Sequence, residues 1–279
     1  MSNIKPFLQW TGGKSHLIPQ FHSFYPKDLS GYDTFIEPFA GGGATFLHFL
    51  SNGYQFKNVI INDINSVLMN TYRIIRRQPH ELLEQLELMK NEYHNLASME
   101  EKQIYFLKLC DAFNRRNLSP LLHAAIFIIL NKTGFSAMFR VNAKNEYNIA
   151  FGKNRKPVVF CRDNILKIHG LLQYVEIYSK DFAGMRKHIS GKTFIYLDPP
   201  YYPAGETAGF CQYTANRFND SEQIRLADFC KSLSCHWMLS NSDCNFVLSL
   251  YKNYTVRKII TKHRIQRSRE ATELLITNY

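Results

Sequence analysis

Short apolar runs alternate along this chain with segments whose apolar residues recur at helical spacing. The strand-like runs Asn58–Asn62, Val175–Tyr178 and Thr193–Leu197 are apolar at most positions, as strands buried on both faces of a parallel sheet are. Another strand is predicted at 32–37, ahead of a helical pattern over 44–50. Strands separated by helices predict an α/β fold built on a doubly wound parallel sheet.

The middle of the chain follows a different pattern. Apolar residues at helical spacing predict successive helices, and these are followed by a β-hairpin with strands over 134–142 and 146–151. The predicted helices cover Ser66–Arg77, 79–96, 100–115 and 120–131. We therefore expect residues 66–165 to form an inserted, mainly helical domain. Residues 1–65 and 166–279 then form the domain that contains the sheet.

The tetrapeptide Asp198-Pro199-Pro200-Tyr201 directly follows the predicted strand Thr193–Leu197. A carboxylate and a proline carbonyl are both acceptors, and together they can bind the two N–H groups of a planar exocyclic amine. The nitrogen lone pair is then left for an electrophile. The prolines stiffen the turn because their φ is fixed, and the tyrosine ring offers a face for a planar base. The same residues are also compatible with a plain strand-ending turn.

A glycine-rich turn, Gly41-Gly42-Gly43, separates the first predicted strand from its helix. Glycines let the backbone approach a ligand closely. The spacing is not that of the dinucleotide-binding fingerprint, so a smaller nucleoside ligand is favoured. Asp63 follows the next strand about 20 residues later, where doubly wound folds place an acidic residue on ribose hydroxyls. The alternative for Asp63 is a plain helix cap.

Four motifs follow one another along this chain in the same order as in a known family. They are Trp10-Thr11-Gly12-Gly13-Lys14, Glu37-Pro38-Phe39-Ala40-Gly41, the segment 179–182 after a strand, and Asp198-Pro199-Pro200-Tyr201. The sequence resembles Dam-type (alpha-group) adenine-N6 DNA methyltransferases over nearly its whole length. The resemblance implies a Rossmann-like domain that binds S-adenosylmethionine. It also implies an inserted target-recognition domain that carries a β-hairpin.

The resemblance assigns cofactor binding and catalysis to residues at the ends of the predicted strands. S-adenosylmethionine is expected to contact Trp10, Lys14, Glu37, Phe39, Gly41, Asp63, Asp181, Phe182 and Asp198. Methyl transfer to a flipped adenine is expected at Asp198, Pro199, Pro200 and Tyr201. The transfer should be direct, without a covalent enzyme intermediate or a metal ion. The negative charge of Asp198 should stabilise the positive charge that develops on the adenine N6 nitrogen.

The predicted hairpin resembles the family's recognition hairpin. The resemblance places an intercalating ring on Phe135, contact with the vacated partner base on Ser136, apolar contact with thymine on Met138 and guanine reading on Arg140. All residues expected on DNA are Gln9, Phe135, Ser136, Met138, Arg140, Ala150, Lys153, Arg155 and Lys156. Bacterial members that methylate GATC usually carry lysine in place of Gln9 and proline in place of Ala150. The Phe-Ser-x-Met-x-Arg pattern nevertheless resembles phage members that act on GATC, which is the predicted site.

The composition agrees with a partner that is a polyanion. The 279 residues carry a net charge of +11 and have a pI near 9.3, which favours double-stranded DNA as the partner. The six cysteines show neither zinc-ligand nor disulfide-framework spacing, so no metal site is expected. The first residues lack an apolar signal region, and no apolar run is long enough to cross a membrane. We therefore expect a cytoplasmic protein.

Other functions stay open at this point. An RNA guanine-N2 methyltransferase also uses Asp-Pro-Pro-Tyr, but without a long recognition insertion between its motifs. A protein glutamine methyltransferase should carry asparagine at position 198, and a non-catalytic DNA-binding relative need not keep Asp198 or Tyr201. A separate cognate restriction endonuclease is compatible with the sequence. The basic segment 261–269 is expected to contact phosphates.

Overall fold

The fold is centred on one mixed β-sheet. The computed structural model describes residues 4–10, 12–137, 139–203, 218–262 and 270–279. Within these ranges the strands are β1 Thr34–Glu37, β2 Asn58–Asn62, β3 Val175–Tyr178, β4 Thr193–Leu197, β5 His236–Ser242, β6 Thr255–Lys262 and β7 Glu270–Thr277. The α-helices are α1 Ile18–Phe21, α2 Ala44–Ser51, α3 Ser66–Arg77, α4 Pro79–Asn95, α5 Met99–Arg115, α6 Pro120–Thr133, α7 Arg162–Leu172, α8 Asp220–Lys231 and α9 Asn245–Leu250.

The strand order is β3-β2-β1-β4-β5-β7-β6. Strands β1 to β5 run parallel, whereas β7 is antiparallel to both β5 and β6. The chain winds outward from β1 to β3 and then returns to the other side of β1 with β4. This reversal confirms the predicted doubly wound sheet, and it opens a crevice at the carboxyl ends of β1 and β4.

Both faces of the central strands are buried. Phe35 of β1 and Phe194 of β4 belong to one apolar cluster, whereas their neighbours Ile36 and Ile195 belong to another. Successive side chains of a strand point to opposite faces, so the two clusters lie on opposite sides of the sheet. This explains why the central strands appear in the sequence as continuous apolar runs rather than as alternating ones.

The predicted helices of the insertion are confirmed to within two residues at each end. Helix α5 begins at Met99 because Ser98 and Glu101 form a capping box. Helix α6 is buried over 124–131 and packs against α3, α4 and α5. These helices share an apolar cluster with the sheet, and the division into two domains stays a prediction. No helix in the described part of the chain is long and apolar enough to cross a membrane.

The hairpin after α6 differs from the prediction. Its antiparallel pairing is present at two bridges, Gly134 with Phe151 and Val141 with Tyr147. Residues Phe135–Ala137 form a 3₁₀ turn instead of a strand. The reason is the backbone of Ser136, which is left-handed with φ of 53° and cannot continue a ladder. The strands predicted over 134–142 and 146–151 are thus reduced to isolated bridges in the described residues.

Gly43 offers a test of how tightly the glycine-rich turn is packed. Gly43 and Gly53 have nearly the same left-handed φ, 80° and 79°, so alanine carries about the same backbone cost at both, roughly 1–2 kcal/mol. A Cβ on Gly43 would lie 2.4 Å from Cε1 of Phe46 and 2.5 Å from the hydroxyl of Tyr72, whereas Gly53 has no heavy atom within 4 Å.

We expect Gly43→Ala to lower the free energy of unfolding by at least about 2 kcal/mol more than Gly53→Ala does, because only the first is overpacked. Urea unfolding of both variants measures the difference. Equal losses would contradict the packing described for this turn.

Candidate active site

The acidic residues predicted at strand ends meet at one edge of the sheet. Glu37 is the last residue of β1, Asp63 follows β2, and Asp198 follows β4. These strands are parallel neighbours, so their carboxyl ends share the crevice at the reversal of strand order. The charges of Asp198 and Asp63 both raise the pKa of Glu37. The sequence-predicted carboxylates therefore form one electrostatic group.

The glycine-rich turn after β1 is shaped by Trp10. A Cβ on Gly41 would lie 2.9 Å from Cδ1 of Trp10, and a Cβ on Gly42 would lie 2.9 Å from its Cβ. The hydroxyl of Tyr72, on α3, donates to the Gly41 carbonyl at 3.0 Å. Larger side chains would push the indole away from the turn. The tryptophan and the glycines, predicted as separate motifs, thus form one packed unit.

Asp63 holds the glycine-rich turn through its backbone. One carboxylate oxygen accepts from the Gly41 N–H at 3.0 Å, and the other accepts from the Asn65 N–H at 2.9 Å. Burial raises the pKa of Asp63 to about 6, although these two hydrogen bonds lower it. The side chain that caps α3 is Asn65, which accepts from the N–H groups of Val67 and Leu68. The alternative of Asp63 as a plain helix cap is therefore wrong.

Glu37 lies deeper than Asp63. It is 2% exposed, and its carboxylate accepts from the Phe46 N–H in the first turn of α2 at 3.0 Å. Burial, followed by the charges of Asp198 and Asp63, holds its pKa well above the usual range. A helix N-terminus favours negative charge, and this partly offsets the cost of burying the charged form of Glu37. Glu37 thus ties α2 to the end of β1.

Lys14 contacts both ends of the Asp198-Pro199-Pro200-Tyr201 turn. Its ammonium nitrogen lies 2.9 Å from Oδ1 of Asp198 and 4.5 Å from the centre of the Tyr201 ring. The same group donates to the Gly12 carbonyl at 2.7 Å. Burial and the charge of Glu273 raise the pKa of Asp198 to about 6, while Lys14 lowers it. The structure thus places Lys14, predicted as a cofactor ligand, against the carboxylate that was predicted to be catalytic.

A buried amide network fixes the backbone of this turn. The Gln223 side chain, on α8, donates to the Pro200 carbonyl at 2.9 Å and accepts from Asn241 at 3.0 Å. The Asn241 carbonyl oxygen accepts from the Tyr202 N–H at 3.2 Å. Pro199 is itself buried. Nothing in the sequence around Gln223 marked that residue.

Glu273 completes the surroundings of Tyr201. The tyrosine hydroxyl donates to Oε2 of Glu273 at 2.6 Å. Glu273 lies on β7, 72 residues further along the chain, in a strand that was not predicted. Only the sheet register brings it to the site, so sequence reasoning missed it.

A second group of predicted cofactor residues lies beyond β3. The rings of Phe39 and Phe182 lie 5.5 Å apart, and Phe218 packs near both. Asp181 receives both terminal nitrogens of the Arg225 guanidinium, at 2.8 and 2.6 Å, which lowers its pKa. The same guanidinium stacks 4.1 Å above the Phe182 ring. An aromatic wall with an oriented carboxylate therefore borders this end of the crevice.

The hairpin presents Phe135 and Arg140. The Phe135 side chain is 56% exposed, next to the left-handed Ser136. The Arg140 guanidinium donates to the Asn148 side-chain oxygen through Nε at 3.1 Å and to the Asn148 carbonyl through a terminal nitrogen at 3.4 Å. Two of its five donors are used in this way, so the fork of terminal nitrogens keeps donors for a base edge.

Two asparagines connect the helical insertion to the segments predicted to bind DNA. Asn114 of α5 accepts from the Tyr147 N–H at 2.8 Å and donates to the Tyr147 carbonyl at 3.2 Å. Asn131 of α6 makes the same pair of bonds with the backbone of Gln9, at 3.1 and 2.9 Å. Each amide thus replaces a missing strand neighbour.

The other predicted DNA residues lie on the surface or outside the described residues. Ala150 is exposed, and its carbonyl accepts from the Phe135 N–H at 2.8 Å. Exposed basic side chains follow the hairpin at Lys153, Arg155 and Lys156. Met138 and positions 263–269 of the basic segment lie outside the described residues.

Comparison with known proteins gives a consistent result. The model of the D12 class N6 adenine-specific DNA methyltransferase family matches residues 10–266. Type II methyltransferase M.MjaIII of Methanocaldococcus jannaschii is 37% identical, covering 99% of this chain and 99% of its own length. Type II methyltransferase M1.LlaDCHI of Lactococcus lactis subsp. cremoris is 34% identical, with 99% and 96% covered. DNA adenine methylase of Escherichia coli (strain K12) is 28% identical, with 84% and 78% covered.

The doubly wound sheet, with a glycine-rich turn and strand-end carboxylates at its crevice, is the fold of Rossmann-like methyltransferases. The chain belongs to the D12 class N6 adenine-specific DNA methyltransferase family. Its sequence resemblance to that family is thereby confirmed. Membership implies S-adenosylmethionine as the methyl donor and DNA as the substrate.

The ion pair between Lys14 and Asp198 yields a direct prediction. Lys14→Met removes the positive neighbour that lowers the pKa of Asp198, so that pKa should rise above about 6. Titration of aspartate carboxyl carbons by NMR measures it, with Asp198→Asn used to assign the signal. Lys57→Met is the matched control, since Lys57 pairs with the surface residue Asp33 at 3.0 Å. An unchanged Asp198 titration in Lys14→Met would contradict the ion pair.

Proposed function

We propose that this protein transfers a methyl group from S-adenosylmethionine to N6 of a flipped adenine in a short duplex DNA site, with GATC as the first candidate. The observation that carries the proposal is Asp198. This half-buried carboxylate lies at the crevice, in a turn whose backbone is fixed by prolines and by Gln223. Since the curated relatives include type II methyltransferases, a separate cognate restriction endonuclease is the proposed partner in the cell.

The residues at the crevice fit the cofactor. S-adenosylmethionine supplies an electrophilic methyl group on a positively charged sulfur. Asp63 and Asp198 have pKa values raised to about 6, primarily by burial. A cationic ligand beside them stabilises their charged forms and so reduces the cost of removing these carboxylates from water. The proposed holding residues are Asp63 for the ribose hydroxyls, Gly41 through its backbone, and Phe39, Asp181 and Phe182 at the aromatic wall, with Trp10 and Glu37 supporting the turn.

Asp198 and the Pro199 carbonyl act on the target amine. By accepting its two protons they favour a tetrahedral nitrogen whose lone pair faces the methyl donor, and the carboxylate stabilises the developing positive charge. Near pH 7 most of Asp198 is ionised, because its pKa is about 6. Lys14 contacts Oδ1 of Asp198, and a carboxylate has acceptor sites on both of its oxygens. The amine N–H is therefore accepted beside the lysine contact.

Tyr201 and Phe135 support the flipped base. Stacking on a tyrosine ring contributes about 1–3 kcal/mol, and Lys14 already lies over the ring at 4.5 Å, so the base stacks on the other face. Flipping costs a few kcal/mol. The exposed Phe135 ring, inserted into the vacated space, offsets part of that cost, with Ser136 against the remaining partner base.

Sequence reading is proposed for the hairpin and the segment beside it. Asn148 orients the Arg140 guanidinium, and its remaining donors match the O6 and N7 acceptors of guanine. Asn131 fixes the backbone of Gln9, so that the exposed Gln9 side chain is presented from a rigid segment. Met138 and Ala150 are proposed as the apolar contacts, and Lys153, Arg155 and Lys156 as phosphate contacts.

Two aspartate variants separate transfer from cofactor binding. Asp198→Ala should abolish methyl transfer and leave DNA affinity within a few-fold, because the carboxylate acts on the amine and not on phosphates. Asp63→Ala should chiefly raise the KM for S-adenosylmethionine. Tritium transfer measures turnover and the KM, and calorimetry measures the affinities for DNA and for the cofactor. The surface variant Asp33→Ala is the control. Near-normal turnover by Asp198→Ala overturns the proposed function, and unchanged cofactor affinity in Asp63→Ala overturns the ribose assignment.

Arg140→Ala distinguishes base reading from a contact with the DNA backbone. If the guanidinium binds guanine, its loss should cost about 1–3 kcal/mol on the preferred site and relax discrimination at one base pair. Lys153→Ala and Lys156→Ala should instead weaken all sequences alike and reduce the salt dependence by about one charge. Methylation of GATC duplexes with single base-pair changes, at two salt concentrations, measures both effects. A uniform loss on every duplex in Arg140→Ala would show that this residue is a backbone contact.

A further inference from the structure

We propose that Glu273 is a positioning residue for methyl transfer: its carboxylate holds the Tyr201 ring in the orientation against which the target base stacks. The proposal rests on the proposed function, since it assumes that Tyr201 receives the base. It assigns a role to a residue outside the motifs that mark the family in this sequence.

The hydrogen bond between the two side chains is short and well placed. The Tyr201 hydroxyl donates to Oε2 of Glu273 at 2.6 Å, within the range of hydrogen bonds from a hydroxyl to a carboxylate. Such charge-assisted bonds are roughly twice as strong as neutral ones. The bond therefore restrains the ring more firmly than packing of a half-buried tyrosine alone.

The backbone of Glu273 is fixed from both sides. In the sheet register Glu273 lies opposite Ser242 of β5 and opposite Ile259 of β6. β7 is thus an interior strand at this position, and its backbone cannot shift without breaking two ladders. The Glu273 side chain therefore extends toward Tyr201 from a fixed backbone position.

Tyr201 needs such a reference point. The two prolines fix the backbone before it, and Gln223 holds the Pro200 carbonyl, but neither restrains the torsions of the ring. Lys14 lies over one ring face at 4.5 Å and pairs with Asp198, so it does not hold the hydroxyl end. Glu273, which contacts that end, keeps the ring in place when the base stacks on the other face.

Glu273 also acts on Asp198 through its charge, and the experiment has to separate the two effects. The groups that face Asp198 are Lys14, Glu273, Glu37 and the hydroxyls of Tyr196 and Tyr201. Burial raises the pKa of Asp198 to about 6, Lys14 lowers it, and the charge of Glu273 adds a smaller rise. At pH 8 the Asp198 carboxyl is ionised with or without Glu273, so measurements at that pH report the positioning role.

The experiment is a double-mutant cycle on the full chain with a duplex substrate at pH 8. Tyr201→Phe removes the hydroxyl but keeps the ring, and Glu273→Leu removes the acceptor. Each should lower kcat/KM for DNA about tenfold, the effect of losing one hydrogen bond to a charged group. The double variant should be no slower than either single one, because both changes remove the same contact.

Two further readouts distinguish positioning from a general loss of structure. Glu273→Gln keeps an acceptor and should recover kcat/KM to within a few-fold of wild type. A duplex with 2-aminopurine as the target base gives a second readout, because stacking on a fixed ring quenches the fluorescence of this base. Its fluorescence should be higher in the complexes of Tyr201→Phe and Glu273→Leu than in that of the wild type, and by the same amount. Glu176→Leu is the matched control: the exposed Glu176 accepts from Tyr178 at 2.6 Å on β3, and its loss should leave activity unchanged.

Any of three results would overturn the positioning role. They are additive losses of kcat/KM in the cycle, normal activity of Glu273→Leu, and failure of Glu273→Gln to restore kcat/KM. Failure of the proposed function is seen separately. In that case the wild-type protein forms no N6-methyladenine, or Asp198→Ala keeps its activity.

Discussion

Three carboxylates crowded at one edge of the sheet, one buried and two half-buried, are the constraint on which the rest of this site depends. Glu37 and Asp63 are balanced by backbone N–H groups of Phe46, Gly41 and Asn65. Asp198 differs, because the cation within contact distance of it is a lysine side chain. Backbone N–H groups are fixed beside their carboxylates, whereas a lysine side chain can turn away from its carboxylate. Under the proposed function, the carboxylate that acts on the substrate amine is thus the one paired with a movable side chain.

Side-chain amides hold the irregular segments around these carboxylates. Asn62, the last residue of β2, donates to the carbonyls of Pro38 and Lys180 at 2.9 Å each and accepts from the Lys180 N–H at 2.9 Å. Asn131 and Asn114 do the same for the N-terminal segment and the hairpin. Loops beyond strand ends lack ladder partners, and buried backbone groups need replacements. These amides fix the backbone of the loops at the strand ends, of the N-terminal segment and of the hairpin.

Much of the fold could be predicted from the sequence. β2, β3 and β4 begin and end as expected, because burial on both faces leaves an apolar run between polar residues. The start of the hairpin could not be predicted, since the left-handed Ser136 is a local conformation that the apolar pattern does not encode. Gln223 and Glu273 were missed for another reason. Each reaches the site through packing or strand register over a long stretch of chain, and a single polar residue in a helix or strand gives no signal of that.

The identity of the methylated product tests the central claim most directly. The purified protein is incubated with duplex DNA that contains GATC sites and with S-adenosylmethionine labelled in its methyl group, and the DNA is then digested to nucleosides and separated. The account predicts that the label appears in N6-methyldeoxyadenosine alone. Label in methylated cytosine, or transfer to ribosomal RNA but not to duplex DNA, would contradict it.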